Sequence, residues 1–361
     1  MLPLAAVSTA IAAAIIAAFS SLVVAIVSAV LARRNSVAVK KLEEGQAETN
    51  ARIAYNYEAR KRLYAVCEPL LFQAVEQAED ARSRICSLAK AARNGDLRAD
   101  GTGWLTPPDR YYFKSTVYTL LAPITTFSIL QRRLTTIDLS LDADVREKYE
   151  LLRLLFFSFS KDWELAECGG SAAQLEYDRN KADPGEPERE RLLRESPQRY
   201  APQGLYRGMI YVAAEALIAA REPSESPEAR DRCMTFGEFQ SEWDKAQAEQ
   251  GSFSRRTLVR LSIGPGLASP LAPVVDSFVE LFGGFHPMRK PILWRLLIAQ
   301  YLLYRTLQGE HPSSAPLTAD EIALFDWRDE TNRDEDFEQP LRVAGDFVGG
   351  ELKSMQERLA R

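Results

Sequence analysis

Residues 2–32, LPLAAVSTAIAAAIIAAFSSLVVAIVSAVLA, contain no charged side chain and stop against Arg33-Arg34. A bilayer core needs about 20 consecutive apolar residues, and this run exceeds that. A secretory signal peptide instead places its cations first, keeps its apolar core to roughly 7–15 residues and ends at a small-residue cleavage site. Here the run is longer and the cations follow it, which favours an uncleaved transmembrane anchor over a signal peptide or a buried core helix.

Orientation follows the cations. Arg33, Arg34, Lys40 and Lys41 all lie on the C-terminal side of the run. Lys and Arg beside a span stay in the cytoplasm. The expected arrangement is a single pass through an inner or plasma membrane, with the N-terminus outside and the remaining chain cytoplasmic. The same four side chains can meet anionic headgroups, at about 1 kcal/mol each near the surface; the plainer reading is that they only set topology.

The run is rich in alanine and serine. Ala13, Ala17, Ser21, Ala25 and Ala29 recur at every fourth position and form one ridge on a helix. Small residues in this spacing let membrane helices pack closely. The competing reading is a generic alanine-rich anchor.

At 361 residues, the chain minus its anchor has room for one large or two small domains. Hydrophobic content of 46% and charged content of 26% are ordinary for a globular chain. The net charge of -5 lacks the basic footprint of a general nucleic-acid binder, so no nucleic-acid partner is expected. Cys67, Cys86, Cys168 and Cys233 are widely separated, with no C-x-x-C pair. Such free thiols suit a reducing compartment. No cofactor signature is present.

Taken in order, residues 36–66 predict a juxtamembrane helix. A heptad phase through Val39, Leu42, Gln46, Thr49, Ile53, Asn56, Arg60 and Leu63 is apolar at only half its positions, which gives little support to a coiled coil. Pro69 predicts a break or kink. A second helix, 70–94, presents Leu71, Val75, Ala78, Arg82 and Ile85, with Leu88 beside them, and ends at Asn94-Gly95-Asp96. After a Gly- and Pro-containing loop, Asp109 is the expected N-cap of a helix reaching Leu134, kinked at Pro123. This stretch is apolar enough to serve as the central buried helix; a membrane-contacting segment over 111–131 is the alternative.

Asp142 or Asp144 should cap a helix over 143–163 that is apolar nearly all round. Residues 176–203 are charged and proline-containing, and predict a surface loop or linker. Helices are expected over 204–221, from Thr235 to Gln250 behind a capping box, over a short segment after Ser254, over 271–282, over an amphipathic 288–308, after a second capping box at Thr318, and over 341–361. The implied class is mainly α: an N-terminal anchor (1–34), a stalk (35–68), a first helical region (69–175), the charged loop (176–203) and a second helical region (204–361).

Chemical signals are sparse. The only histidines, His286 and His311, precede prolines and fit turns. Gly264-Pro265-Gly266 lacks the Gly-Lys-Ser/Thr continuation of a phosphate loop. Cys67 and Cys168 would be nucleophiles only beside a base; otherwise they are small buried side chains. The acidic stretch from Asp326 to Glu338 lacks the glycine of a calcium loop and fits a solvated face or a docking patch for a basic partner. Basic residues near aromatics, Arg110 and Lys114 at one end of the 109–134 helix and Arg132 and Arg133 at the other, form a candidate anion-binding set, weighed against residues that merely flank a core helix.

Three functional readings follow. The first is a non-enzymatic membrane-tethered protein acting by self-association or by binding a protein partner. The second is an oligomeric membrane effector triggered by a ligand or partner, in stress or defence. The third is an enzyme without a recognised motif.

Overall fold

The computed structural model describes residues 4–98, 102–106, 110–162, 164–165, 203–219, 231–250, 269–309, 317–328 and 336–360. Among these the architecture is mainly α: α1 (Leu4–Arg93), α2 (Tyr111–Arg133), α3 (Ala143–Ser158), α4 (Arg207–Ala216), α5 (Phe236–Gln250), α6 (Ala272–Phe282), α7 (Pro291–Leu307), α8 (Ala319–Phe325) and α9 (Glu338–Leu359). A single β-bridge, Ile218 to Cys233, is the only sheet-like pairing among the described residues. The chain forms two compact units, residues 1–62 and 63–361.

The first unit is the N-terminal part of α1. Among the described residues α1 is the one helix long and apolar enough to cross a membrane. Ser20 and Ser21 donate their hydroxyls to the carbonyls of Ile16 and Ala17, at 2.8 and 2.9 Å. The apolar run therefore leaves neither hydroxyl unsatisfied.

Of the break or kink expected at Pro69, the break is not there. Pro69 lies inside α1, which stays helical to Arg93. Proline removes one ladder hydrogen bond, but Cys67, Leu70, Leu71 and Ala74 around it are buried in the second unit, and packing holds the helix through the defect. No helix end marks position 68.

Within the second unit, the buried stripe of α1 is Leu63, Cys67, Leu70, Ala74, Ala78, Ala81, Ile85, Leu88 and Ala92. This corrects the face read from the sequence. Val75 and Arg82 are only half-buried, whereas the small Ala74 and Ala81 beside them are fully buried. The helix ends as expected at Asn94-Gly95: Gly95 adopts φ +76°, and the N–H groups of Asp96 and Gly95 bond to the carbonyls of Ala91 and Ala92 at 2.8 and 3.1 Å. That is a Schellman ending, which requires the left-handed conformation glycine tolerates.

Two helices are buried on nearly every face. α2 is buried over most of Phe113–Leu130 and packs against α3 and α4. α7 is buried from Ile292 to Tyr304 and packs most extensively against α9 and α3. The sequence reading named α2 as the central buried helix and made α7 amphipathic; in the structure even the polar Arg295 and Gln300 of α7 are buried. α2 begins after Arg110, not Asp109, without a side-chain cap, and continues through Pro123.

Three predicted caps are present. Asp142 accepts from the N–H of Val145 at 3.0 Å and from the Tyr64 hydroxyl at 2.6 Å, so the cap of α3 also ties α1 to it. Thr235 and Glu238 exchange backbone bonds at the start of α5. Thr318 and Glu321 do the same at α8, and Glu321 also meets Arg305 at 2.8 Å. α3 and α4 end at Ser158 and Ala216, short of the expected 163 and 221. Nearly all of 176–203, the segment after Ser254, Gly264-Pro265-Gly266, Cys168 and His311 lie outside the described residues.

Candidate functional site

The residues singled out in the apolar run and its flank all lie on α1. Arg33, Arg34, Lys40 and Lys41 are exposed, as are Ala17, Ser21, Ala25 and Ala29; the side chain of Ala13 lies outside the described residues. From Ala14 to Glu58 every side chain is exposed. Phe19, Ile16 and Val24 are 67%, 67% and 64% exposed. Among the described residues none buries them.

The candidate anion set does not come together. Arg110 and Lys114 lie at the start of α2, and Arg132 and Arg133 lie about 27 Å along it at 1.5 Å per residue. Lys114 is buried and pairs with Asp244. Arg132 pairs with Glu215, and Arg133 donates to the carbonyl of Asp231 at 3.2 Å. Three of the four are thus committed to tertiary contacts.

A different cationic cleft does form, of about 350 Å³, where α3, α4, α7 and α9 meet. α3 contributes Arg153 and Phe157, the following turn Lys161, the first turn of α4 Arg207, and α9 Phe347 and Arg358. The segment leading into α4 is fixed by Leu205, whose N–H donates to the Phe159 carbonyl at 2.8 Å. At Gly204 an added Cβ would lie 2.4 Å from the Asp162 carboxyl carbon. Only glycine permits that approach. No short motif joins these cations, which span more than 200 positions, so sequence reading missed them.

A larger groove, about 720 Å³, lies between α7, α8 and α9 and carries both signs of charge, with Arg305, Arg342, Asp336 and Asp346 on its walls. The acidic stretch is partly structural: Asp326 forms a bidentate pair with Arg328, and Asp336 accepts from the N–H groups of Glu338 and Gln339 at the start of α9. Positions 329–335 lie outside the described residues.

The remaining reactive groups point to structure. Burial pushes the Cys67 thiol up to about 11 and that of Cys233 up to about 12, so neither is a thiolate near neutrality. His286 is buried and its Nδ1 accepts from the N–H of Met288 at 3.1 Å, as a turn histidine does. Lys290 donates to the carbonyls of Glu280 and Leu281 at the end of α6, and burial lowers its pKa to about 8. Gln203 accepts from the N–H groups of Ile292 and Leu293 at 2.7 and 3.1 Å, a cap for α7 supplied from a distant segment. Among the described residues no cluster of His, Cys, Asp and Glu has the geometry to hold a metal ion.

Comparison with protein-family models, with characterised proteins and with solved structures finds no match to this chain.

Proposed function

We propose that this chain is a bilayer-anchored interaction protein: α1 holds it in the membrane, and the helical unit works by association, with a second copy or with a protein partner. One observation carries the reading. Ten large apolar side chains between Ile15 and Leu31 are 44–67% exposed. Burying one such side chain fully is worth roughly 1.5–3 kcal/mol. Leaving ten half-exposed in water forfeits on the order of 10 kcal/mol, as much as the whole net stability of a typical domain. A bilayer, with or without a packed second helix, supplies the missing cover.

The cytoplasmic side follows from Arg33, Arg34, Lys40 and Lys41. Alkaline-carbonate extraction tests the anchor: the full chain should stay in the membrane pellet, and its release to the supernatant would end the reading. Topology needs an introduced thiol, because Cys233 is buried and unreactive from either side. A Ser241→Cys variant, at an exposed position of α5, should take up an impermeant maleimide only after cells are permeabilised.

The second reading, an oligomeric effector triggered by a ligand, is favoured by the cationic cleft. The two readings part on whether a ligand bound there changes oligomer size.

A further inference from the structure

We propose that the cleft between α3, α4, α7 and α9 binds a small phosphate ester, with the phosphate held by Arg207, Lys161 and Arg358 and the ester body lying on Phe157 and Phe347. The proposal concerns the second unit alone and stands whether or not α1 enters a bilayer.

Charge accounting comes first. Arg153 lies 3.4 Å from Glu150, and Arg358 reaches the same carboxylate at 3.6 Å. Lys161 meets Glu164 at 3.0 Å and Glu351 at 3.7 Å. Among the described residues four cations thus face three carboxylates, and the charge left without a counterpart there is that of Arg207. Its guanidinium lies 5.3 Å from the Phe157 ring centre, and among the described residues it has no carboxylate partner.

Arg207 is also placed against its own helix. It opens α4, where the free backbone N–H groups already carry partial positive charge. A cation there opposes the helix dipole, and stability alone would favour an acidic or capping residue. An anion in the cleft would satisfy the guanidinium and the open N–H groups together. The Arg153–Glu150, Arg358–Glu150 and Lys161–Glu351 pairs are loose, at 3.4–3.7 Å, so Arg153 and Arg358 can turn to a doubly charged phosphate, and Lys161 can do so by exchanging its 3.0 Å bond to Glu164 for one to the anion.

The apolar side sets the class of ligand. Phe157 and Phe347 are half-buried and line the cleft with Leu154 and Leu303. Free phosphate leaves this surface wet; a phosphate carrying a compact aromatic or apolar body covers it. At about 350 Å³ the volume is near the lower end of small-molecule sites, about 300–1,000 Å³.

The test uses the full chain in detergent and three probes: phenyl phosphate, inorganic phosphate, and nanodiscs of phosphatidylglycerol set against phosphatidylcholine. Phenyl phosphate should bind saturably, at least tenfold more tightly than inorganic phosphate, and weaken as salt rises. Arg207→Gln should cost tenfold or more in affinity while the unfolding midpoint stays unchanged or rises. Arg358→Gln should weaken binding by a smaller factor, and Lys245→Gln on α5 should not change it. Competition by phosphatidylglycerol nanodiscs but not phosphatidylcholine would identify a lipid headgroup as the source of the phosphate ester; no competition would identify a soluble one. The proposal is overturned if neither phenyl phosphate nor phosphatidylglycerol binds saturably, or if Arg207→Gln and Arg358→Gln both leave the affinity unchanged.

Discussion

The two halves of α1 use similar residues to different ends. Before Arg33 the helix carries Ile16, Phe19, Leu22, Val24 and Ile26, all more than half exposed. After Arg62 it carries Leu63, Leu70, Ile85 and Leu88, all buried. Both halves also set small residues at helical spacing. Ala74, Ala78, Ala81 and Ala92 are buried in the second unit, whereas Ala17, Ala25 and Ala29 are exposed among the described residues. Buried alanines let neighbours come close in the second unit; under the proposed reading the ridge in the first half would do the same for a cover outside the chain. Secondary structure is the same throughout; the surroundings differ.

The sharpest way to break this comparison is to truncate one side chain in each half. Ile85→Ala should lower stability by roughly 3–4 kcal/mol, the usual cost of a buried cavity. Ile16→Ala should leave the denaturant midpoint of the second unit within about 0.5 kcal/mol. Chemical unfolding in detergent reads both, and equal losses would show that the halves are not distinct environments.

Enlarging the ridges gives the next effect. Ala78→Leu should cost about 2 kcal/mol by overpacking. The pair Ala17→Leu with Ala25→Leu should leave the unfolding midpoint alone but dissociate any oligomer, because close helix approach in a membrane needs small side chains. The control pair Val23→Leu with Val30→Leu, exposed on the opposite face at 3.6 residues per turn, should do neither. Light scattering in mild detergent separates them. Identical behaviour of the two pairs would remove the ridge from the account.

The Glu321 cap should contribute comparably in the packed half. Its carboxylate is tied to Arg305, with both side chains 12–13% exposed. Burial raises its pKa, but the Thr318 N–H and Arg305 outweigh it, and the net shift is downward. A lowered carboxyl pKa means that the unfolded chain binds the proton first. The stability is thus present above the usual carboxyl range and is lost as pH falls through the lowered pKa. Glu321→Gln should cost about 2 kcal/mol at neutral pH, discounted for partial exposure, and should flatten the acid side of the stability curve. The exposed cap at Thr235 should contribute less: Thr235→Ala is expected to cost about 1 kcal/mol.

Local signals were the legible ones. The caps at Asp142, Thr235 and Thr318, the glycine stop at Gly95 and the apolar run each sit within a few residues, and each was read in place. Long-range packing was not legible. Nothing in the sequence says that Gln203 caps α7, that Gln300 is buried with its amide on Ser158 at 2.9 Å, or that the helix carries on through Pro69. Those outcomes are decided by neighbours dozens to hundreds of positions away. The candidate anion set failed for the same reason: adjacency on α2 brought basic and aromatic residues together in sequence, while the cationic cleft draws its charges from α3, α4 and α9.

The central claim is that lipid covers the first half of α1. Spin labels placed one at a time from Ala14 to Leu31, and at Leu42 and Ile53 for reference, test it in liposomes containing the full chain. Labels in the run should be accessible to oxygen and shielded from an aqueous nickel complex, with greatest depth near the middle and oxygen minima at positions 17, 21, 25 and 29 if that ridge is packed. Nickel accessibility in the run equal to that at positions 42 and 53 would place it in water and contradict the claim.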